Sequence, residues 1–202
     1  AALLGNRETY DRAATKFAAR HEEIVSDLIR GRRDSDALRL MIGASTRELL
    51  SMADSIAVLR ELTPRANDAL VARGERVLAA IFTAFLNQEG IKTTLVDATE
   101  IVITERRLGS VWPNLQKCER AAKKIIEPLL ADGTVVVMPG YLGRGADGEV
   151  VTLGRGGTDF SAAILARSIG ARGVTLFKEV DGLMTADPRS VPSARLIPEL
   201  HY

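Results

Sequence analysis

Three glycines within four positions, at 154, 156 and 157, separate a β-branched, apolar run from a helical one. The segment reads Val151-Thr152-Leu153-Gly154-Arg155-Gly156-Gly157-Thr158-Asp159, a strand that ends in a tight turn from which a helix opens at Thr158 or Asp159. Glycine admits positive φ and lets backbone N–H groups come close to a ligand. A helix start adds unpaired N–H donors and a partial positive charge. The junction therefore suits an anion, although the same residues also fit a plain strand-to-helix turn. A P-loop would end in Gly-Lys-Ser/Thr, and the dinucleotide fingerprint spaces its glycines differently, so neither applies. Arg155 lies inside the loop, where a guanidinium can grip the carboxylate of a small acidic substrate through two bonds. Two roles are open to Asp159: capping its own helix, or facing a ligand and positioning the cations around a transferring phosphate.

Helix-like and strand-like runs alternate along the chain. Tyr10, Ala14, Phe17, His21, Ile24, Val25, Leu28 and Ile29 recur at three- and four-residue spacing and predict a helix over 7–30, stopped by Gly31. A second helical run covers 36–62, with Gly43 as a point where it divides in two. Thr63-Pro64 ends it, because the residue before a proline avoids helical geometry. A third helix is predicted over 67–88, closed by Gly90, and 92–96 reads as a short strand. Beyond it come a helix over 119–130 and a turn at Asp132-Gly133. Residues 134–138 are β-branched or apolar throughout, as in a strand covered on both faces of a parallel sheet. Strands over 150–153 and 174–177 flank a helix over 161–169 closed by Gly170. The rhythm is that of an α/β protein with a mostly parallel sheet, and 202 residues are enough for one domain with a sizeable core.

Charge and cysteine content narrow the function classes. Lys+Arg number 27 against 26 Asp+Glu, so no global field favours nucleic acid or an anionic membrane as a partner. The single cysteine, Cys118, cannot form an internal disulfide and has no Cys or His at metal-ligand spacing, which points to a reducing compartment and no zinc site. His21 and His201 lie far apart in sequence, so neither a histidine dyad nor a protein metal cluster is expected. No apolar run is long enough to span a bilayer and the start lacks a signal-peptide pattern, giving a cytoplasmic location as the expectation.

The string from Leu153 to Asp159, with Phe160 and the helical Ser161-Ala162-Ala163 after it, resembles the signature of the aspartate kinases, within the amino-acid kinase superfamily. Three further segments agree in order and spacing. Arg73-Gly74-Glu75 resembles the Gly-Glu motif of the family, Val135 to Tyr141 (VVVMPGY) the strand and glycine turn before the signature, and Lys178 to Arg189 (KEVDGLMTADPR) its nucleotide-binding hairpin. The resemblance runs from about Arg65 to the end of the chain. It implies a three-layer α/β/α sandwich and an ATP-dependent phosphorylation of the side-chain carboxylate of L-aspartate, the first step toward lysine, threonine and methionine. By the same resemblance Arg155 holds the α-carboxylate of aspartate and Glu75 its amino group, with Gly156 and Thr158 on the substrate side of the loop. Asp159 would stand at the transfer site, and Gly140 would allow close backbone approach. Lys178, Glu179, Gly182, Leu183, Met184 and Arg189 would line the nucleotide pocket, with Asp181-Gly182 as the turn. Met184 stands where relatives often carry an aromatic residue, so packing would replace stacking on adenine. Magnesium is expected with ATP, held mainly by the phosphates.

The chain departs from that pattern in two places. The family opens with a strand and a Lys-Phe-Gly-Gly-Thr-Ser type loop whose lysine stabilises the transferring phosphate, and Leu3 to Asn6 does not match it. The chain also stops before the later lysine-containing nucleotide motif and the small regulatory domains. The expectation is a partial amino-acid kinase domain, incomplete at both ends, with a helical part over about 1–90 and a nucleotide-binding part over about 91–202. Little turnover is expected of this stretch alone, and a homo-oligomer of the full-length protein. The helical stretch before Arg73 resembles the kinase portion of enzymes fused to homoserine dehydrogenase. A glutamate 5-kinase-like or uridylate kinase-like relative, or an inactive binding or regulatory fragment, are the alternatives.

Overall fold

The computed structural model describes residues 1–107, 110–178 and 182–199. They form two units, Ala1–Arg172 and Gly173–Tyr202.

The first unit begins with three long helices, α1 (Arg7–Leu28), α2 (Arg32–Leu59) and α3 (Pro64–Gln88). Their shared core is Val25, Ile29, Leu38, Ile42, Val77 and Ile81, the apolar stripes that the spacing predicts. Gly43 does not divide the second helix. Ile42 beside it is fully buried, and tertiary packing outweighs the roughly 1 kcal/mol that glycine costs in a helix interior. The boundary between α2 and α3 also differs from expectation. The second helix ends at Leu59, where Arg60 takes left-handed geometry, and Thr63-Pro64 opens the third instead of closing the second. Thr63 caps it through a bond from the Ala66 N–H, and Pro64 takes the first helical position, where its missing N–H costs nothing. Gly31 likewise precedes α2 as its N-cap residue.

The α/β part follows. Strand β1 (Thr93–Leu95) pairs in parallel with β4 (Val135–Val137), in the register Thr93 to Val135. Between them lie the short helix α4 (Ala98–Ile101), a hairpin of β2 (Thr104–Arg107) and β3 (Ser110–Pro113), and α5 (Leu115–Ala131). A second hairpin, β5 (Leu142–Arg144) with β6 (Val150–Thr152), precedes α6 (Gly157–Ile169). Helices α5 and α6 pack on the sheet through Val96, Ile101, Ala122 and Ile126, joined by Val136, Leu165 and Ile169. The class is therefore α/β, with a parallel pair and helices on it. Strand β4 is less covered than its composition suggests, since Val135 is exposed. Strand β6 matches the run expected over 150–153, while β2, β3 and β5 went unforeseen: Thr104-Glu105-Arg106-Arg107 is mostly charged, and Leu142-Gly143-Arg144 is short and broken by glycine although Leu142 is fully buried. Cys118 is fully buried against the Ile103 backbone, as a structural residue would be.

The second unit contains a bridge between Met184 and Leu196, with the Ile197 N–H bonded to the Leu183 carbonyl at 2.8 Å. The strand expected over 174–177 is absent. Val174, Leu176 and Phe177 are exposed, and no ladder bond among the described residues reaches them, so β-propensity alone does not make a strand.

Candidate active site

The glycine-rich turn lies between β6 and α6. Gly154 (φ 75°) and Gly156 (φ 72°) both occupy the left-handed region that a side chain resists. Gly156 is the N-cap residue of α6 and offers no side-chain bond to the helix. Asp159 is therefore not the cap. It stands in the first turn, where a carboxylate meets the positive end of the helix. Arg155 projects from the turn, exposed, with no hydrogen bond or ion pair to another described residue. A guanidinium without a partner among the described residues, on the turn that leads into a helix, is a place for a carboxylate.

Gly140 and Thr158 touch. A Cβ added to Gly140 would lie 2.7 Å from the Thr158 Cγ2 and 3.3 Å from its Cα. The glycine after β4 thus lets the Pro139-Gly140-Tyr141 turn close on the first turn of α6. The close approach in this structure is between backbone and protein.

On its other side, Gly140 borders a cleft of about 290 Å³, where Glu75, Leu78 and Phe82 of α3 face Val137, Met138 and Pro139. Glu75 is the one charged group in this mostly apolar wall. No described residue bonds to it, and burial pushes its carboxyl above the ordinary range. Gly74 before it has nothing within 4 Å of an added Cβ. No described residue makes a close approach to this mid-helix glycine. Two polar ties hold α3 in place around Glu75. Arg76 binds Asp97 at the end of β1 at 2.7 and 3.1 Å, and the Thr152 hydroxyl of β6 donates to Asp68 at 2.8 Å.

The structure therefore brings Glu75, Gly140 and Thr158 into one neighbourhood, with Arg155, Gly156 and Asp159 on the same turn and helix start. Arg76 and Asp97 were not among the sequence candidates, although an arginine directly after Glu75 and an Asp-x-Thr capping pattern after a strand were visible signals.

In the second unit Gly182 has φ 147°, and a Cβ there would meet Leu196 Cδ1 at 2.9 Å. Leu183 and Met184 lie on the bridged segment with Leu196 and Ile197. Arg189 is tied locally, its N–H and guanidinium both bonded to Asp187. Lys178 is exposed, while Glu179, Asp181 and His201 lie outside the described residues.

A model of the amino acid kinase family matches residues 6–202. The chain belongs to the amino acid kinase family. Among curated family members it is similar to an aspartokinase of Schizosaccharomyces pombe, 35% identical over 88% of this chain and 34% of that one. It is also similar to the bifunctional aspartokinase/homoserine dehydrogenase of Haemophilus influenzae, 30% identical over 84% of this chain and 20% of that one. The structure superposes on E. coli aspartokinase III in complex with aspartate and ADP with a TM-score of 0.77. That match is 28% identical and covers 86% of this chain and 37% of the other. The chain thus spans between about a fifth and just over a third of the length of these relatives. No helix among the described residues is long and apolar enough to cross a membrane.

Proposed function

We propose that this chain carries the aspartate-binding part of an aspartate kinase. The protein would move the γ-phosphoryl group of ATP to the side-chain carboxylate of L-aspartate, giving 4-phospho-L-aspartate and ADP. The observation that carries the reading is the presence of two oppositely charged groups with no partner among the described residues, Arg155 on the glycine turn and Glu75 in the cleft, joined through Gly140 and Thr158. A zwitterionic amino acid needs both: a cation for its α-carboxylate and an anion for its ammonium group. A nucleotide or a simple dicarboxylate needs no such pair.

In this reading Arg155 grips the α-carboxylate with help from the Gly156 and Thr158 backbone, and Glu75 receives the amino group. The second carboxylate of aspartate is then left to point at the phosphate. It is already ionised near neutral pH, so no general base is required. One oxygen of that carboxylate attacks phosphorus as the bond to the ADP oxygen breaks, and the protein contributes alignment and charge neutralisation. Asp159, an oxygen donor in the first turn of α6, suits a magnesium ion that travels with the nucleotide phosphates. Lys178, Glu179, Gly182, Leu183, Met184 and Arg189 belong to the nucleotide side in this reading. Arg189 would exchange its local bond to Asp187 for a phosphate. The division into a helical part over about 1–90 and a nucleotide-binding part over about 91–202 is part of the proposal. So are a cytoplasmic location and a homo-oligomeric full-length protein.

The test is trapping of the acyl phosphate formed by the full-length protein with hydroxylamine, in the presence of Mg-ATP and either L-aspartate or L-glutamate. Hydroxamate formed from aspartate and not from glutamate supports the reading. Equal use of glutamate, or product from neither by protein that binds nucleotide, contradicts it.

A further inference from the structure

Tyr141 has φ 71°, a left-handed geometry that a bulky aromatic residue rarely adopts and keeps only where its surroundings enforce it. The enforcement comes from the signature segment. The Tyr141 N–H donates to the Ser161 hydroxyl at 2.7 Å, and the Tyr141 carbonyl accepts from the Leu153 N–H at 2.9 Å. Its ring lies against Gly157, where an added Cβ would meet Tyr141 Cδ2 at 2.6 Å. Ser161 is 1% exposed and spends its own proton on the Gly157 carbonyl at 2.5 Å. One buried hydroxyl thus bonds both the turn after β4 and the first residue of α6.

We infer that Ser161 is a positioning residue for substrate binding: its hydroxyl fixes Tyr141 in the left-handed geometry that sets Gly140 and the Glu75 cleft against Thr158 and Arg155. The inference rests on the aspartate-binding reading above. A serine on a helix commonly bonds the carbonyl four residues earlier, and that bond alone would be local. The bond from the Tyr141 N–H is what reaches across twenty residues of sequence to the other wall of the site. Remove the hydroxyl and the Tyr141 N–H loses its partner while the backbone strain remains. The peptide then relaxes toward negative φ, carrying Gly140 off Thr158 and the ring off Gly157. Glu75 and Arg155 stay intact but lose their spacing, which a rigid zwitterion senses and a nucleotide held elsewhere does not.

The experiment is calorimetric titration of L-aspartate, and separately of Mg-ADP, into the protein and its Ser161→Ala and Ser161→Thr variants, with melting temperatures alongside. Ser161→Ala should weaken aspartate by about tenfold or more, the scale of a misplaced binding group, and leave Mg-ADP within about twofold. Ser161→Thr, which restores the hydroxyl, should recover most of the loss. Equal aspartate affinity in a folded Ser161→Ala protein overturns the inference, as does a parallel loss of both ligands that Thr does not rescue. Should Ser161→Ala fail to fold, Ser161→Cys keeps a side chain of similar shape and offers the Tyr141 N–H only a weak sulfur acceptor. It should weaken aspartate selectively, and unchanged affinity there also overturns the inference. Absence of aspartate binding by the wild-type protein while Mg-ADP binds is a different result, and it overturns the reading beneath.

Discussion

Arg76 grips Asp97 through two bonds, Nε to Oδ2 at 2.7 Å and Nη2 to Oδ1 at 3.1 Å, directly after Glu75 on the same helix. Asp97 also caps α4, accepting from the Thr99 N–H at 2.9 Å and its hydroxyl at 2.6 Å. The pair is about 30% exposed on both sides, so it is worth more than a surface bridge and less than a buried one. It pins the middle of α3 to the end of β1 and so fixes the height at which Glu75 enters the cleft. Asp97→Asn should destabilise the protein by about 1–3 kcal/mol, the range for charge-assisted bonds, read as a lower denaturant midpoint at constant slope.

The same pair gives a pH dependence. Burial alone would raise the Asp97 carboxyl, but the bonds from Arg76 and Thr99 outweigh it and hold the group below its ordinary value. A carboxylate depressed in the folded state contributes stability above its unfolded pKa of about 3.9, and that contribution is lost as pH falls through the folded value. Wild-type protein should therefore lose stability more steeply than Asp97→Asn in acid below about pH 4. Parallel stability curves would contradict it.

Glu75 has the opposite sign. Its carboxyl is raised by burial, so ionising it costs folding stability as pH rises from the ordinary carboxylate value through the raised one. Glu75→Gln should leave stability within about 0.5 kcal/mol or improve it, while aspartate affinity falls by about tenfold or more. Wild-type aspartate affinity should also decline in mild acid, as the carboxylate proposed to receive the ammonium group takes up its proton. Titrations across pH 4 to 7 with both proteins check this, and only the wild type should show the decline.

Gly140 and Thr158 are coupled by contact. Gly140→Ala places a methyl 2.7 Å from the Thr158 Cγ2, an overpacking expected to cost about 1–3 kcal/mol. Thr158→Ser deletes that Cγ2 and keeps the hydroxyl. The double variant should recover part of the loss, and a double-mutant cycle with no interaction energy would show that the two turns do not meet as described.

Much of this was legible in the residues. Long amphipathic helices declare themselves by periodicity, and Val25 and Ile29 of the first predicted apolar face both lie in the helical core. The glycine turn was legible because two of its glycines need positive φ, which few other residues accept. Helix boundaries were not, since Pro64 can either follow a helix or open one, and only the Thr63 cap decides. Polar hairpins such as Thr104–Pro113 are fixed by pairing that leaves no apolar signature. Asp159 shows the limit at the site itself. Its sequence position fits a cap, yet a glycine three residues earlier takes the cap because its left-handed φ turns the chain into the helix. Tyr141 and Ser161 stood inside recognised strings, but their bond joins segments twenty residues apart and no spacing rule reveals it.

Arg155 is the residue proposed to receive the α-carboxylate of aspartate. Calorimetric titration of L-aspartate into the protein with Mg-ADP present, beside an Arg155→Ala control, tests that role most directly. Arg155 is exposed and unpartnered among the described residues, so the substitution should leave the melting temperature unchanged. The wild type should bind aspartate and the alanine variant should lose that binding, with Mg-ADP still bound by both. Aspartate bound equally by both proteins would contradict it.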